Sequence, residues 1–412
     1  MNLPMRMILF FTVFVVMTAL THRYLYVRMV RDMGLPPPWL QAGRRLFIGL
    51  GLAMLLGLAA FRFLPPHLGL VTAYAVFCWM GLLAILLPVT VLIEPVRILS
   101  RLWQRRVSKS TSTSISDEPK DPGRRQALSR MTAVATTVGS ASIASAGVHT
   151  ALSPPLLREL DVSSPHLPAA FDGFRIVQLS DVHVGPTIGR DFTLALRDRI
   201  ATLDADLVVI TGDLVDGSVD NLRDAVAPLG ELKSRLGTFF CTGNHDYYSD
   251  DEAWCEELSR IGIRSLRNER VSLTRSGSND GPSIDLYGLD DYSSRSRKTG
   301  APGHDPKKAF ADRDLQRFAL VLAHQPRAVF DCAAAGADLV LSGHTHGGQI
   351  WPYGYLVALI QPYVQGLHAH GERTQIYVNS GTGYWGPPVR VRVPSEVTLF
   401  TLRRVGPSSK DA

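Results

Sequence analysis

The sequence predicts an α/β domain carried behind N-terminal transmembrane helices, and three observations predict it. Nearly charge-free apolar runs fill much of the first 157 residues. From about residue 165 strand-like and helix-like patterns alternate for roughly 240 residues, enough for one α/β domain with a large buried core. The strand-like runs of that half end in metal-type ligands: Ile176–Ser180 in Asp181 and His183, Leu207–Thr211 in Gly212 and Asp213, Gly237–Thr242 in Gly243, Asn244, His245 and Asp246, Leu320–Ala323 in His324, and Leu339–Ser342 in Gly343, His344 and His346.

Composition sets the outer limits. The 412 residues are 46% hydrophobic and 19% charged, with a mean hydropathy of +0.07, too apolar for a purely soluble chain. The net charge of +6 gathers around apolar segments, which suits membrane orientation, and residues 170–405 lack the basic–aromatic interleaving of a nucleic-acid surface. Cys78, Cys241, Cys255 and Cys332 form no CxxC pair, so neither a disulfide framework nor a zinc knuckle is written here.

In chain order, Met7–Thr21 and Leu46–Phe61 fall just short of the ~17–25 residues that span a bilayer, and flanking residues extend both. Leu68–Ile93 carries no charge and is the clearest span. Residues 1–107 are therefore expected to form a three-span anchor. Residues 108–130 read as a basic, Ser/Thr-rich cytoplasmic linker, and residues 131–157 as a fourth span or tether rich in Ala, Ser, Thr and Gly. Gly123-Arg-Arg-Gln-Ala-Leu-Ser-Arg130 before that run is similar to a twin-arginine export signal, or serves as the ordinary basic flank of a membrane helix.

Direction follows from Lys and Arg in the loops. Arg23, Arg28, Arg31, Arg44 and Arg45 mark loop one, and Arg97, Arg101, Arg105, Arg106, Lys109, Arg124 and Arg125 mark loop three; loop two has only Arg62 beside it. Loops one and three are expected to face the cytoplasm. The fourth span would then carry the domain of residues 165–405 to the extracytoplasmic side of the cell (inner, cytoplasmic) membrane.

Within that domain, Phe174–Leu179 reads as a strand, and Asp191–Leu203 as an amphipathic helix with Leu194, Leu196, Ile200 and Leu203 on one face. Leu207–Thr211 is the next strand, Asn221–Ser234 a helix, and Phe239–Thr242 the next strand. Strands joined by crossover helices pair in parallel, and ligands gather at their carboxyl ends. Carboxylate, imidazole and amide oxygens together suit manganese, iron or zinc better than calcium, which prefers oxygen alone. Asp181, His183, Asp213, Asn244, His324, His344 and His346 exceed one tetrahedral site and suit two adjacent divalent ions sharing a carboxylate.

Asp181-x-His183, Gly212-Asp213, Gly243-Asn-His-Asp246, His324 and Gly343-His-Thr-His346 resemble, in order, the motif series of the calcineurin-like metallophosphoesterases. The resemblance covers about residues 170–405. It implies a two-sheet α/β sandwich and hydrolysis of a phosphodiester or related phosphate ester, the substrate partner, by metal-activated hydroxide. It further implies one ion on Asp181, His183 and His346, a second on Asn244, His324 and His344, and Asp213 between them. His245 would be no ligand; it would lean on Asp246, contact the phosphoryl oxygens and stabilise the transition state or protonate the leaving oxygen.

Gly347-Gly-Gln349, Asn379-Ser-Gly-Thr-Gly383 and Pro394-Ser-Glu396 are similar to the membrane-anchored bacterial branch, while the multi-span front half resembles transmembrane proteins that carry such a domain. A lipid pyrophosphohydrolase acting on UDP-diacylglucosamine, or a scaffold without catalysis, are the rival readings; the intact His245 and ligand set argue against the scaffold. His304, His368 and His370 are expected outside the ligand set, Asp216 and Asp250 in solvent, Cys241 in the core, and Asp290 and Asp291 at a turn or the pocket wall. Trp351, Tyr353, Tyr355, Tyr363 and the apolar Leu356–Ile360, directly after the last histidine, read either as a loop folded back onto the domain's own core or as a segment of interfacial type that suggests a lipid substrate.

Overall fold

The structure is a computed structural model that describes residues 3–60, 66–99, 102–103, 122–275, 281–295, 300 and 303–406. The chain divides into two compact units, Met1–Val148 and His149–Ala412.

In the first unit the apolar runs lengthen into helices Leu3–Met29, Pro37–Ala60 and Pro66–Leu92. At 1.5 Å per residue, 24 or 27 helical residues exceed the ~30 Å of a bilayer's hydrocarbon. Leu25, Phe47 and Leu86 make a small core among them. The Trp79 indole donates to His22 Nε2 at 3.0 Å, and Arg28 pairs with Glu94 at 2.7 Å. Among the described residues, Leu68–Leu99 and Gln126–Leu152 are long and apolar enough to cross a membrane.

The expected linker lies mostly outside the described residues, and its last part differs from expectation. A long helix runs Pro122–Leu152, taking in residues 122–130, because a proline at the first helical position is already set for the turn. At its far end Pro154 and Pro155 stop the helix. Leu156 and Leu157, assigned in sequence to the span, open strand β1 (Leu156–Ser164) instead, so the α/β domain begins before residue 165. Absence of charge across the two prolines had joined two different elements.

The second unit is a sandwich of two six-stranded sheets. The first has the order β1, β12 (Glu396–Arg404), β2 (Arg175–Leu179), β3 (Leu207–Thr211), β4 (Thr238–Cys241), β5 (Ile263–Ser265). From β2 to β5 it is parallel, with helices Arg190–Ile200, Val219–Val226 and Asp251–Arg260 as the crossovers. The expected helix over 221–234 breaks at Pro228, where a 3₁₀ turn, Ala227–Glu231, takes over. The second sheet has the order β10 (Gly366–His370), β11 (Thr374–Val378), β9 (Leu339–Ser342), β8 (Ala319–Ala323), β7 (Ser283–Leu289), β6 (Glu269–Thr274), parallel at its centre and antiparallel at both edges.

The two-residue period of the strands builds the layers. Leu207 and Val209 point between the sheets with Ile176, Phe239, Leu320, Leu322, Leu339, Leu341 and Phe400; Cys241 lies in this core as expected. Val208 and Ile210 face the outer helices with Val177, Leu179 and Phe240. Val321, Val340, Ile376 and Val378 do the same for the second sheet. Strands covered on both faces read as unbroken apolar runs for this reason. Across the inner layer Gln178 Nε2 donates to Thr211 Oγ1 (2.8 Å) and the Ser342 carbonyl (3.0 Å), locking together the ends of β2, β3 and β9 where the polar motifs leave.

Candidate metal centre

The carboxyl ends of β2, β3, β4, β8 and β9 meet at one edge, and the backbone there turns against its usual preference. Asp181, His183, Asp213, His344 and His346 all have φ between 49° and 71°. The left-handed region is costly for a residue with a Cβ, and such residues collect at functional sites. Close approach fixes the glycines beside them: a Cβ on Gly243 would lie 2.2 Å from Asp213 Oδ1, and one on Gly343 2.1 Å from Asp181 Oδ2.

Three clusters of ligand atoms result: Asp181, His183 and His346; His183, Asp213 and His245; and Asp213, His324 and His344. His183 Nε2 is 3.1 Å from His346 Nε2, His346 Nε2 3.4 Å from Asp181 Oδ1, and His324 Nε2 3.1 Å from Asp213 Oδ2. Ligand atoms about 2.1 Å from one ion stand roughly 3 Å apart at right angles, the spacing seen here. One buried polar atom beside the clusters, Asn244 Oδ1, has no hydrogen-bond partner. Such an orphan costs free energy unless something absent satisfies it. The donor set therefore fits divalent metal.

Neighbours orient the imidazoles. His324 Nδ1 donates to the Thr211 carbonyl at 2.8 Å, leaving Nε2 to the cluster. His183 Nδ1 donates to Asp216 Oδ2 at 3.1 Å, with the same effect. Asp181 accepts from Ser180 Oγ (2.6 Å) and the His344 amide (3.0 Å), which ties β2 to β9.

Burial alone would raise the Asp213 carboxyl, but the fields of His324 and His245 hold it well below the ordinary carboxylate range. Burial, the charge of His324 and that of His245 bring His344 down to about 4 against the pull of Asp213, and burial with the charges of His183 and Arg390 holds His346 well below its ordinary value. Both are thus in the neutral form that ligates metal.

His245 does not lean on Asp246 by a hydrogen bond, as the resemblance implied. They sit in the short helix Asn244–Tyr248, where consecutive side chains point apart. The buried Asp246 accepts main-chain N–H groups from Gly243 (2.7 Å), Asp213 (2.9 Å), Leu214 (2.9 Å) and Val215 (3.3 Å), clamping the loop that carries Asp213. His245 pairs instead with Asp216: its Nδ1 donates to Oδ1 at 2.6 Å. Asp216, expected in solvent, is a second-row member of the site with a side chain only 27% exposed. The Asp213-Leu-Val-Asp216 spacing on one loop was the signal for it. Burial opposes a charge on His245, but Asp213 and Asp216 outweigh it and push its pKa up to about 9. The ring lies 5.4 Å from Tyr248 and 5.9 Å from Trp385.

The other candidates lie apart from the ligand clusters. His304 pairs with Asp331, His368 with the Gln365 carbonyl and His370 with Tyr363. Asp250 caps the helix Asp251–Arg260. Asp290 takes Thr242 Oγ1 and Arg267, and Asp291 takes Gln325 and Ser294, so both brace the loops beside β4 and β8.

A two-sheet sandwich with a histidine–carboxylate cluster at its parallel strand ends defines an α/β protein with a metal-type site. Residues 174–348 match the model of the calcineurin-like phosphoesterase family. The chain is 39% identical over 278 residues to a Danio rerio protein named "transmembrane protein with metallophosphoesterase domain", covering 67% of this chain and 63% of that one. It is 36% identical over 282 residues to an uncharacterized metallophosphoesterase of Helicobacter pylori (68% and 73%), and 34% identical over 256 residues to uncharacterized metallophosphoesterase YkuE of Bacillus subtilis (60% and 84%). This chain belongs to the calcineurin-like phosphoesterases. It spans about three-fifths of the length of the vertebrate relatives it matches, 63% of the Danio rerio protein and 59% of one from Bos taurus.

Proposed function

We propose that the chain is a membrane-anchored phosphoesterase that works with two divalent metal ions. The observation that carries this reading is the run of overlapping ligand clusters from Asp181, His183 and His346 through Asp213 to His324 and His344, with the buried Asn244 Oδ1 left without a hydrogen-bond partner. Asp181, His183 and His346 would hold one ion and Asn244, His324 and His344 the other, with Asp213 common to both. Manganese, iron or zinc suits these donors. Ions so held supply Lewis-acid polarisation of the phosphoryl group and lower the pKa of water toward ~7.

The chain's own groups do the rest. His245, protonated at neutral pH, contacts the phosphoryl oxygens and gives its Nε2 proton to the leaving oxygen. Asp216 holds that imidazole by Nδ1 and keeps it charged. Asp246 fixes the main chain from which Asp213 projects. Tyr248 and Trp385 cover the His245 ring against bulk water.

The substrate in this reading is a phosphodiester or related ester, and the catalytic unit stands outside the cytoplasm, in line with the basic loops around the membrane segments. The purified full chain in detergent with manganese and a panel of aryl phosphomonoesters and phosphodiesters tests it. Asp213→Ala should lose metal content and turnover together; an active Asp213→Ala chain would overturn the mechanism.

A further inference from the structure

Directly beyond the His346–Gly348 turn the domain exposes apolar surface that its own fold does not need. Trp351, Tyr355, Leu356, Leu359, Ile360 and Trp385 are each between 51% and 79% exposed. From Gly347 to Gly371 no residue carries a formal charge, in a chain that is 19% charged. A contiguous patch of this kind marks an interaction surface.

The patch is built rather than frayed. Gln349 donates from Nε2 to the Trp385 carbonyl (3.0 Å) and accepts the Trp385 amide at Oε1 (2.9 Å), joining the two segments into one rim. Arg327 Nε donates to the Ile360 carbonyl at 2.8 Å, and the helix Gly354–Val357 backs so closely onto Gly348 that a Cβ there would lie 2.3 Å from the Gly354 nitrogen. The rim also belongs to the site, since Trp385 packs 5.9 Å from His245. Arg392 lies 5.6 Å over the Trp351 ring, a cation beside an amphipathic aromatic as at a membrane–water boundary.

What covers this rim follows from the chain's own anchor. The candidate span Gln126–Leu152 ends four residues before Leu156 opens β1. Its last turn belongs to the catalytic unit, where Ala151 packs on Ile188 and Tyr384, the residue next to Trp385. The segment that leaves the bilayer therefore ends on the loop that carries the rim.

Resting on the phosphoesterase reading above, we propose that the rim of Trp351, Tyr355, Leu356, Leu359, Ile360 and Trp385 inserts into the bilayer interface and presents the ligand cluster to phosphate esters of membrane-lipid headgroups. Burial of such side chains at the headgroup boundary, with arginines at the edge for lipid phosphates, is the physics of interfacial anchoring.

The test uses the full chain in phosphatidylcholine–phosphatidylglycerol proteoliposomes, with Cys78→Ser and Cys255→Ser removing accessible thiols and Leu356→Cys carrying an environment-sensitive fluorophore. A shallow spin-labelled lipid should remove about half or more of its emission, while a fluorophore at Ser259→Cys, on the helix Asp251–Arg260, should keep its own. Absence of quenching at 356, or disulfide cross-linking of two such chains without quenching, would assign the surface elsewhere and overturn the proposal. In the second arm Trp351→Ala with Leu356→Asp should slow release of water-soluble phosphate ester from the vesicles about tenfold, ~1.4 kcal/mol, while sparing a soluble aryl phosphodiester. Equal loss on both substrates, or a wild-type chain that cleaves the soluble ester and never the lipid, would overturn it. A chain inactive on every ester would instead sink the phosphoesterase reading, which the quenching arm does not need.

Discussion

His183 and His245 meet edge to face with ring centroids 4.8 Å apart, and each donates its Nδ1 proton to a different oxygen of the Asp216 carboxylate. One anion thus orients a proposed ligand and the proposed acid at once. Asp216→Asn should weaken metal binding by about 10–100-fold, the usual cost of losing an outer-shell carboxylate, and lower turnover further through His245. Metal titration beside turnover separates the two; loss of turnover with metal affinity untouched would confine Asp216 to His245.

His245→Ala should retain metal while losing ~10²–10⁴-fold in rate, as removal of a general acid does. Its pKa of about 9 in the folded chain lies above the ~6.5 of an unfolded histidine, so its interactions with Asp213 and Asp216 stabilise fully below about pH 6.5. That contribution fades as pH rises through 9. In metal-free protein the melting temperatures of wild type and His245→Asn should differ most near pH 6 and converge by pH 10; a gap that widens with pH would refute the assignment.

Asp246→Ala removes the acceptor of four main-chain N–H groups at once. Each orphaned buried donor costs ~1–3 kcal/mol, so the variant should lose at least about 3 kcal/mol of stability in denaturant unfolding. A near-wild-type midpoint would show that the loop has another support.

The membrane topology makes its own prediction. Reporter fusions at residue 115 and after residue 165 should report opposite compartments, with the earlier one cytoplasmic. The same compartment for both would leave the helix Pro122–Leu152 outside the list of spans and place the catalytic unit in the cytoplasm.

Much of the architecture could be read from sequence because β2, β3, β4, β8 and β9 are buried on both faces and each stops at a polar ligand. The edges could not. β1 was hidden because Ala151–Leu157 is uncharged across Pro154 and Pro155, and β10 because Gly366–His370 mixes small and polar residues on a half-exposed edge. At the site, ligand identity followed from residue type, whereas partnership did not: Asp246 neighbours His245 in sequence but faces the β3 loop, and Asp216 reaches His245 only because that loop folds back. Side-chain direction, set by local backbone, carries that information and spacing alone does not.

The left-handed backbone at Asp181, His183, Asp213, His344 and His346 bears on transplanting this chemistry to other scaffolds. Side chains copied onto regular strand ends would leave along different vectors, because here the main chain does the aiming. Each such residue stores about 1 kcal/mol or more, released if its loop relaxes. A host for this centre would have to inherit the loops whole, with Gly243, Gly343 and the Asp246 clamp, before any ligand could be expected to find its place.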